Sequence, residues 1–223
     1  MPNPKGTNKS SGLDRRRKAA QNKDNANYAE RRAQILASAA EVFAEEGYDA
    51  TTLNDIAARA GTDRASVYYY ASSKEELFQQ VCSGMLAANL AAAEEIAEGD
   101  LSAADKLEQI MANHLKTHEQ GYPQWTVLVR ELRRVTDART DWSREEVERM
   151  RRYEAVVRSI LEDGMNDGSL RRDIDPDVAT HAIFGMLNWT HRWYRPDGPY
   201  DAATIAREFA AIALSGLTVR DAG

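Results

Sequence analysis

The stretch that most limits the fold is residues 47–77, GYDATTLNDIAARAGTDRASVYYYASSKEEL. It contains two short runs with helical spacing on either side of Gly61, and each run follows a side chain that can cap a helix, Thr52 or Asp63. Ala57 is small enough for a second helix to cross closely, and Gly61 can adopt the positive φ of a tight turn. Two short helices joined by such a turn make a helix-turn-helix, which this stretch therefore predicts.

The rest of the chain repeats the helical spacing of apolar residues and contains no convincing alternating strand. Gly47 predicts the end of a helix, Ser73 and Glu76 form a capping-box pattern at the start of another, and Pro176 predicts a first turn. We therefore predict an all-α chain with nine helices. Their expected ranges are 28–46, 53–60, 64–71, 74–98, 102–120, 123–136, 143–167, 176–194 and 201–216.

The charge of the chain is unevenly distributed. Residues 1–27 contain seven Lys or Arg and two Asp, a net charge of +5, so the other 196 residues carry −11 of the total of −6. This segment is rich in small polar residues and predicts a flexible basic arm, with a solubilising tail as the alternative. No apolar run approaches the roughly 20 residues of a membrane span. The lone cysteine, Cys82, excludes an internal disulfide, so we expect a cytoplasmic protein.

The C-terminal part of the chain, residues 81–223, contains no catalytic motif. His114 and His118 stand four residues apart and suit a metal, but no third ligand is evident. We therefore expect a protein that is not an enzyme and that holds no metal or cofactor. An α-helical enzyme with an incidental helix-turn-helix is the alternative.

Residues 47–77 closely resemble the DNA-binding signature of the TetR family of bacterial transcriptional regulators, and the resemblance is specific over about residues 28–80. It implies a nine-helix TetR-like architecture, with a helix-turn-helix domain at 28–80 and a ligand-binding and dimerisation domain at 81–223. It also implies a homodimeric repressor that binds a near-palindromic operator in double-stranded DNA and is released by a small molecule. The chain departs from the family pattern at Ala71, where the family usually has a large apolar residue.

The same resemblance places the predicted DNA contacts on the second and third helices. Arginine is the commonest specific reader of guanine, and tyrosine offers a ring for thymine methyls and a hydroxyl for phosphates. Thr52 and Lys74 stand at helix N-termini, which favour phosphate. Structural roles are the alternatives: a cap for Thr52, a solvated charge for Lys74, a pair with Asp63 for Arg64, and inward packing for Tyr70. The predicted contacts are Thr52, Asn54, Arg64, Ala65, Ser66, Tyr68, Tyr69, Tyr70 and Lys74.

The last two predicted helices carry apolar stripes that suit a helix-pair interface. The resemblance implies that two copies of the chain pair through these helices in a four-helix bundle. An intramolecular core is the alternative. The stripes consist of Ala182, Ile183, Met186, Leu187, Ile205, Phe209, Ile212 and Ala213.

The segment NWTHRWYRPDGP, residues 188–199, looks like the corresponding segment of a TetR branch that regulates fatty-acid and steroid-ring degradation. The effectors of that branch are acyl-coenzyme A (acyl-CoA) thioesters. Arg192 or Arg195 would then meet the coenzyme A head. The alternatives are dimer packing of this segment, an aromatic or drug-like effector, a protein partner, and no ligand. The predicted ligand contacts are Met111, Trp125, Leu128, Leu132, Val156, Val157, Ile160, Asn188, Trp189, Arg192 and Trp193, with Leu107 and Leu115 as further lining candidates.

Overall fold

The computed structural model describes residues 10–137 and 139–218. Within these residues the regular structure is helical, apart from a single antiparallel bridge between Leu170 and Thr218. The helices are α1 (Ser10–Glu46), α2 (Leu53–Arg59), α3 (Arg64–Tyr70), α4 (Lys74–Glu98), α5 (Ala103–Gln120), α6 (Tyr122–Arg130), α7 (Leu132–Asp137), α8 (Asp141–Asp167), α9 (Pro176–Trp189), a 3₁₀ helix (Thr190–Arg192) and α10 (Ala202–Leu217). The predicted all-α fold is confirmed.

Local capping signals set most helix starts. At α3 the side chain of Asp63 accepts a hydrogen bond from the backbone N–H of Ser66, as predicted. At α4 the side chain of Ser73 accepts from the backbone N–H of Glu76. The carboxylate of Glu76 does not complete the predicted capping box, because it accepts from the backbone N–H of Ser72 instead. The Asp63 carboxylate and the Ser73 hydroxyl each satisfy an N–H group that a helix start leaves unpaired.

The first helix begins earlier than its apolar pattern suggests. The structure extends α1 back to Ser10, 18 residues before the predicted start at Tyr28. Lysine, arginine, alanine and glutamine are frequent between residues 15 and 23, and these residues favour a helix even without an apolar face. The described part of the predicted arm is therefore helical, whereas residues 1–9 lie outside the described residues.

A second difference concerns the number of helices. The predicted helix 123–136 is broken at Glu131 into α6 and α7, so the described residues contain ten α-helices rather than nine. The break lies between two arginines that reach back towards the end of α1. Arg130 donates to the carbonyl of Ala44 over 3.1 Å, and Arg134 donates to the carboxylate of Asp49 over 2.7 Å. These long-range contacts leave no signal in the local pattern.

Two apolar cores share helix α4. The N-terminal core contains α1–α4 and includes the fully buried rings of Phe43 and Phe78. It also takes Trp125 and Leu128 from α6, although the prediction assigned these residues to the second domain. The C-terminal core joins α4, α5, α8, α9 and α10. Since α4 continues through the predicted boundary at residue 80, the two units are joined by one helix.

Helix α4 is also joined to α8 by a buried polar contact. The hydroxyl of Ser83 donates to the carboxylate of Glu146 over 2.7 Å and accepts from the indole N–H of Trp142 over 2.8 Å. Arg149 pairs with the same carboxylate. These contacts hold α8 beside α4, where the two helices form part of the cavity wall described below. Among the described residues, no helix combines the length and apolar character that crossing a membrane requires.

Candidate DNA-binding surface and effector cavity

Helices α2 and α3 form the predicted helix-turn-helix. Ile56 and Ala57 on α2 and Val67 on α3 are buried where the two helices cross. Gly61, with φ of 60°, lies in the turn in the left-handed conformation that its sequence position predicts. The buried side of α3 is thereby fixed, and its opposite side faces solvent.

The solvent face of α3 presents Arg64, Ala65, Tyr68 and Tyr69, all of which are exposed. Tyr69 is 73% exposed, which is high for an aromatic side chain. The guanidinium of Arg64 donates to the hydroxyl of Tyr68 over 3.0 Å and lies 5.3 Å from the centre of its ring. Arg64 is therefore paired with Tyr68 rather than with Asp63, and both side chains lie on the solvent face of α3.

Tyr70 lies inward of its two neighbours. It is half-buried and packs against the N-terminal core, with its ring centre 5.0 Å from that of Tyr28 on α1. The Tyr69 ring also contacts both, at 5.9 Å from Tyr28 and 5.1 Å from Tyr70. The packing alternative thus describes Tyr70 in this structure. The cluster of Tyr28, Tyr69 and Tyr70 links α3 to α1.

Three other predicted contacts lie around the helix-turn-helix. Thr52 caps α2: its hydroxyl donates to the carboxylate of Asp55 over 2.6 Å and accepts from the backbone N–H of the same residue. This bond to Thr52 lowers the pKa of the Asp55 carboxyl. Asn54 is exposed on the first turn of α2, and Ser66 is half-buried on α3. Asn54 therefore remains accessible, whereas Thr52 already has a structural partner.

Lys74 differs most from its prediction. Its ammonium donates to the carbonyls of Tyr48 and Thr51, each over 2.8 Å, and to the carbonyl of Asp49 over 3.4 Å. It also lies 4.4 Å from the centre of the Tyr48 ring. An ammonium has three N–H donors. All three are directed at the connection between α1 and α2, so Lys74 stabilises that connection instead of standing free for a phosphate.

A partly open cavity of about 210 Å³ lies between the two apolar cores, among α4, α5, α6, α7, α8 and α9. Its wall is mainly apolar. Four of the predicted ligand contacts line it, namely Trp125, Leu128, Leu132 and Asn188. The remaining wall residues are Met85, Leu86, Asn89, His114, His118, Val129, Met150, Tyr153, Glu154 and Phe184.

The other predicted ligand contacts lie elsewhere. Met111, Val157 and Ile160, together with Leu107 and Leu115, are buried in the C-terminal core, and Val156 packs against it. Trp189 and Trp193 are exposed, and the Arg192 guanidinium lies 5.4 Å from the centre of the Trp189 ring. Arg195 donates to the carbonyl of Tyr194 over 2.7 Å. Of the predicted contacts in this segment only Asn188 lines the cavity, whereas Trp189, Arg192 and Trp193 lie outside the cavity wall.

Two histidines stand side by side in the cavity wall. His118 stacks on Trp125 with ring centres 3.5 Å apart, and its ring centre lies 4.0 Å from that of His114. The Nδ1 atom of His114 lies 3.2 Å from the hydroxyl of Tyr153. Burial lowers the pKa of His114 to about 4, against a smaller opposite effect of Asn188. Burial lowers the pKa of His118 as well, and proximity to His114 adds to the shift.

Comparison with known protein families identifies the family to which a chain with these two units belongs. A family model for the C-terminal domain of tetracyclin repressor-like proteins matches residues 100–217, more than half of the chain. A second model, for bacterial regulatory proteins of the tetR family, matches residues 35–81. The chain belongs to the TetR family. This confirms the resemblance that residues 47–77 carry.

Several TetR-family relatives cover most of the chain. The HTH-type transcriptional repressor KstR2 of Mycolicibacterium smegmatis is 30% identical over 190 residues, which are 85% of this chain and 92% of the relative. The structure of the ketosteroid transcriptional regulator KstR2 of Mycobacterium tuberculosis is similar with a TM-score of 0.80 at 28% identity, covering 85% of this chain and 96% of that chain. FadR from Bacillus subtilis, in complex with stearoyl-CoA, is similar with a TM-score of 0.65 at 25% identity, covering 82% and 98%.

The sequence prediction missed most of the polar cavity wall. His114, His118 and Tyr153 come from two helices that the sequence could not place side by side. The spacing of the two histidines was visible, but it suggested only a metal site. Among the described residues, no group of three or more His, Cys, Asp or Glu could hold a metal ion. The useful signal was that two polar side chains lie on the buried face of α5, since buried polar groups require partners.

Proposed function

We propose that this TetR-family chain is a homodimeric repressor that binds a near-palindromic operator through α3 and is released by an acyl-CoA thioester. The observation that carries the proposal is the presence, in one chain, of an exposed second helix of a helix-turn-helix and a partly open, mainly apolar cavity, joined through α4. The relatives whose names describe repressors and a stearoyl-CoA complex support it. As a DNA-bound bacterial regulator, the protein acts in the cytoplasm.

The solvent face of α3 supports the DNA-binding part of the proposal. In a helix-turn-helix the second helix enters the major groove and its N-terminal residues meet the base edges. Arg64, which opens α3, is suited to guanine, and Tyr69 is suited to thymine methyls or phosphates. Ala65 is small and exposed, so it allows close approach to the groove floor. The basic segment that precedes α1's apolar part adds positive charge on the same unit.

Exposed apolar residues on the last two helices support the dimer. Val178 on α9 is 63% exposed and Ile212 on α10 is 62% exposed. Between them lies a shallow apolar groove that includes Ala182, Met186 and Ala213. Contiguous exposed apolar surface of this kind marks protein interfaces. Pairing of two copies through α9 and α10 would cover it and would set two recognition helices at two half-sites.

A groove beside the cavity supports an anionic head group on the effector. Its wall contains Arg151, Arg158 and His181, and it shares Glu154 with the cavity. Arginine guanidinium groups suit phosphate oxygens. Arg158 is held by Asp177 over 3.1 Å, and Arg151 is largely exposed. We therefore assign the coenzyme A head to Arg151 and Arg158 on α8, in place of the predicted Arg192 and Arg195.

The proposal is tested by operator release. Operator fragments selected from random DNA are titrated with the protein in gel-shift experiments, with and without a panel of thioesters, their free acids and free coenzyme A. An active thioester should weaken operator binding by roughly 5–150-fold, and saturating operator should weaken thioester binding by the same factor. The free acid and free coenzyme A should act much less, because each supplies only part of the contacts.

A matched pair of arginine variants tests the head-group assignment. Arg151→Ala should weaken binding of the active thioester but not of its free acid, whereas Arg144→Ala, an exposed arginine on the same helix outside the groove, should change neither. Release by an uncharged aromatic compound, with no thioester active, would replace the acyl-CoA assignment with the alternative effector class. Failure to select any operator sequence would overturn the repressor itself.

A further inference from the structure

One part of the cavity wall is polar, although most of the wall is apolar. His114 and His118 from α5 and Trp125 from α6 meet there, and all three side chains line the cavity. His114 is 4% exposed and His118 is 2% exposed. We refer to these three side chains as the polar subsite. A polar group placed so deeply in an apolar wall needs a reason, because its burial is costly unless it is hydrogen-bonded.

The polar subsite has more hydrogen-bonding atoms than protein partners. Both ring nitrogens of His118 and the Nε1 atom of Trp125 are buried and have no hydrogen-bond partner among the described residues, whereas His114 has Tyr153 and Asn188 beside it. In native proteins most buried polar side-chain atoms have a partner, so each exception requires a functional role or a bound molecule that supplies one. Three such nitrogens in one short stretch of cavity wall indicate that the occupant of the cavity supplies their partner.

The geometry of the subsite is fixed by its neighbours. His118 lies flat on Trp125, with an angle of 14° between the rings, and His114 meets it edge-on. The Tyr153 hydroxyl holds the Nδ1 atom of His114. The side chains are therefore held in place before any ligand enters, so the cost of ordering them has already been met.

The charge of the cavity defines what the subsite can accept. Burial lowers the pKa of both histidines, so each is a neutral imidazole at pH 7 with one donor and one acceptor nitrogen. The described cavity wall contains no lysine or arginine, and its one acidic side chain is Glu154. A carboxylate or phosphate would have no cation to meet. The indole of Trp125 can only donate, so the partner must be able to accept.

We propose that the polar subsite binds an uncharged oxygen atom, a carbonyl or hydroxyl, carried on the hydrophobic part of the effector. The inference rests on the proposed effector role of this cavity and specifies the class of ligand. A carbonyl oxygen accepts from the indole N–H and from an imidazole N–H. A hydroxyl can also donate to an imidazole acceptor nitrogen. The subsite would thereby distinguish oxygenated hydrophobic groups from plain hydrocarbon chains.

The volume of the cavity limits the size of the hydrophobic group that the effector can carry. Its volume of about 210 Å³ exceeds the roughly 150 Å³ of an engineered protein cavity that binds benzene. One or two fused rings fit that space, whereas a long straight acyl chain requires more. The structure therefore favours a compact oxygenated ring group over a fatty-acyl tail.

The test uses two probes of nearly equal shape, the bicyclic ketone 1-tetralone and its parent hydrocarbon tetralin. Both are titrated into the full-length protein without DNA or thioester, and binding is followed by ligand-observed NMR and thermal shift. Tetralin is the more hydrophobic probe and would win if burial alone decided binding. We expect 1-tetralone to bind at least tenfold more tightly than tetralin. The related carboxylate, tetralin-2-carboxylate, should bind more weakly than the ketone.

Two variants of the polar subsite test whether its nitrogen atoms cause the preference for the ketone. His118→Phe keeps a ring on Trp125 but removes both nitrogens, and Trp125→Phe removes the indole donor. Each should reduce the preference for the ketone to less than threefold, and His118→Phe should raise the melting temperature by about 2–4 °C, because it removes unpaired buried groups. His191→Phe, the same change at a partly exposed histidine that lines neither the cavity nor the groove beside it, should leave the preference unchanged.

The outcomes separate this inference from the proposed function. Equal binding of the two probes by the wild-type protein, tighter binding of the hydrocarbon, or no binding of either up to its solubility would each overturn the polar subsite. So would an unchanged ketone preference in both folded variants. Failure of every thioester to release operator, with the ketone preference intact, would instead overturn the proposed effector and leave the subsite standing.

Discussion

The helix-turn-helix and the effector cavity are built from the chain in different ways. The first is formed by one contiguous stretch, residues 47–77, in which each cap and turn is set by residues a few positions away. The second takes its wall from six helices, between Met85 and Asn188. A site made by local contacts can be found from the sequence, because its geometry follows from short spacings. A site made by long-range packing requires the whole fold.

The largest expected effect tests whether the helix-turn-helix can bind operator without the dimer that α9 and α10 are proposed to form. We expect the double variant Val178→Asp/Ile212→Asp to lower operator affinity by about 10²–10⁴-fold, because loss of the dimer removes the second binding event. The substitutions place charges on exposed apolar residues of α9 and α10, far from α3 in sequence. Sedimentation and operator titration on the same samples measure both properties.

The matched control is Leu101→Asp, which also places a charge on an exposed apolar residue but lies at the α4–α5 connection. It should leave the dimer and the operator affinity unchanged. A monomeric double variant that retains full affinity would show that the DNA-binding unit acts alone.

The next largest effect is expected on stability, at Lys74 in the helix-turn-helix unit. We expect Lys74→Met to lower the free energy of unfolding by about 2–3 kcal/mol, because hydrogen bonds to a charged group are among the strongest in proteins and three carbonyls lose their donor. Urea denaturation without DNA measures it. Lys106→Met, which removes one bond to the carbonyl of Ala97, is the control in the other unit and should cost about 1 kcal/mol. Unchanged stability with weaker binding to all DNA would restore the phosphate role.

In the N-terminal unit, the local caps and the turn could be predicted from the sequence, but the long-range contacts could not. The caps at Thr52 and Asp63 and the turn at Gly61 were predicted from single spacings, and the structure contains each of them. The extension of α1 to Ser10 was missed because charged helix-forming residues leave no apolar stripe to count. The contacts of Lys74 were missed for a related reason. Its partners are backbone carbonyls 23–26 residues away, and a sequence does not display the direction of a carbonyl.

Which residues line the cavity could not be predicted from the sequence. Met111 and Val157 have the same apolar character as Leu128, yet they face the C-terminal core while Leu128 faces the cavity. The side of a buried helix that meets a void depends on packing between helices, which composition does not encode. The aromatic segment around Trp189 indicated the family branch, but its two tryptophans lie outside the cavity wall.

The two units should lose stability at different pH values when the solution is acidified. The folded pKa of His114, about 4, lies below its ordinary value of 6.5, so the unfolded chain binds the extra proton between these values and stability falls as the pH drops through that window. The pKa of the capping carboxyl of Asp63 is lowered by its bond to the backbone N–H of Ser66, so its contribution is lost only at more acidic pH, below the ordinary carboxyl range. The cavity unit should therefore weaken first on acidification.

The variant His114→Phe measures this effect. Between pH 7 and pH 5 the wild-type protein should lose about 2 kcal/mol more stability than the variant, since each pKa unit corresponds to about 1.4 kcal/mol. Urea denaturation at the two pH values gives the difference, which is independent of any constant cost of the substitution. An equal loss in both proteins would show that His114 titrates normally and that the cavity wall is hydrated.

The smallest effect concerns the face of α3, where local prediction and structure agree. Arg64→Ala should weaken operator binding by about tenfold, because a base-reading arginine contributes about 1–3 kcal/mol, and should weaken random DNA less. Stability should not change, since the side chain is exposed and its partner is the Tyr68 hydroxyl. Tyr68→Phe should cost less than Arg64→Ala, because the ring that lies beneath the guanidinium remains. Arg144→Ala on α8 is the control. Equal losses on operator and random DNA would show that Arg64 contacts phosphate rather than a base, and the sequence would then have located the surface while misassigning what it reads.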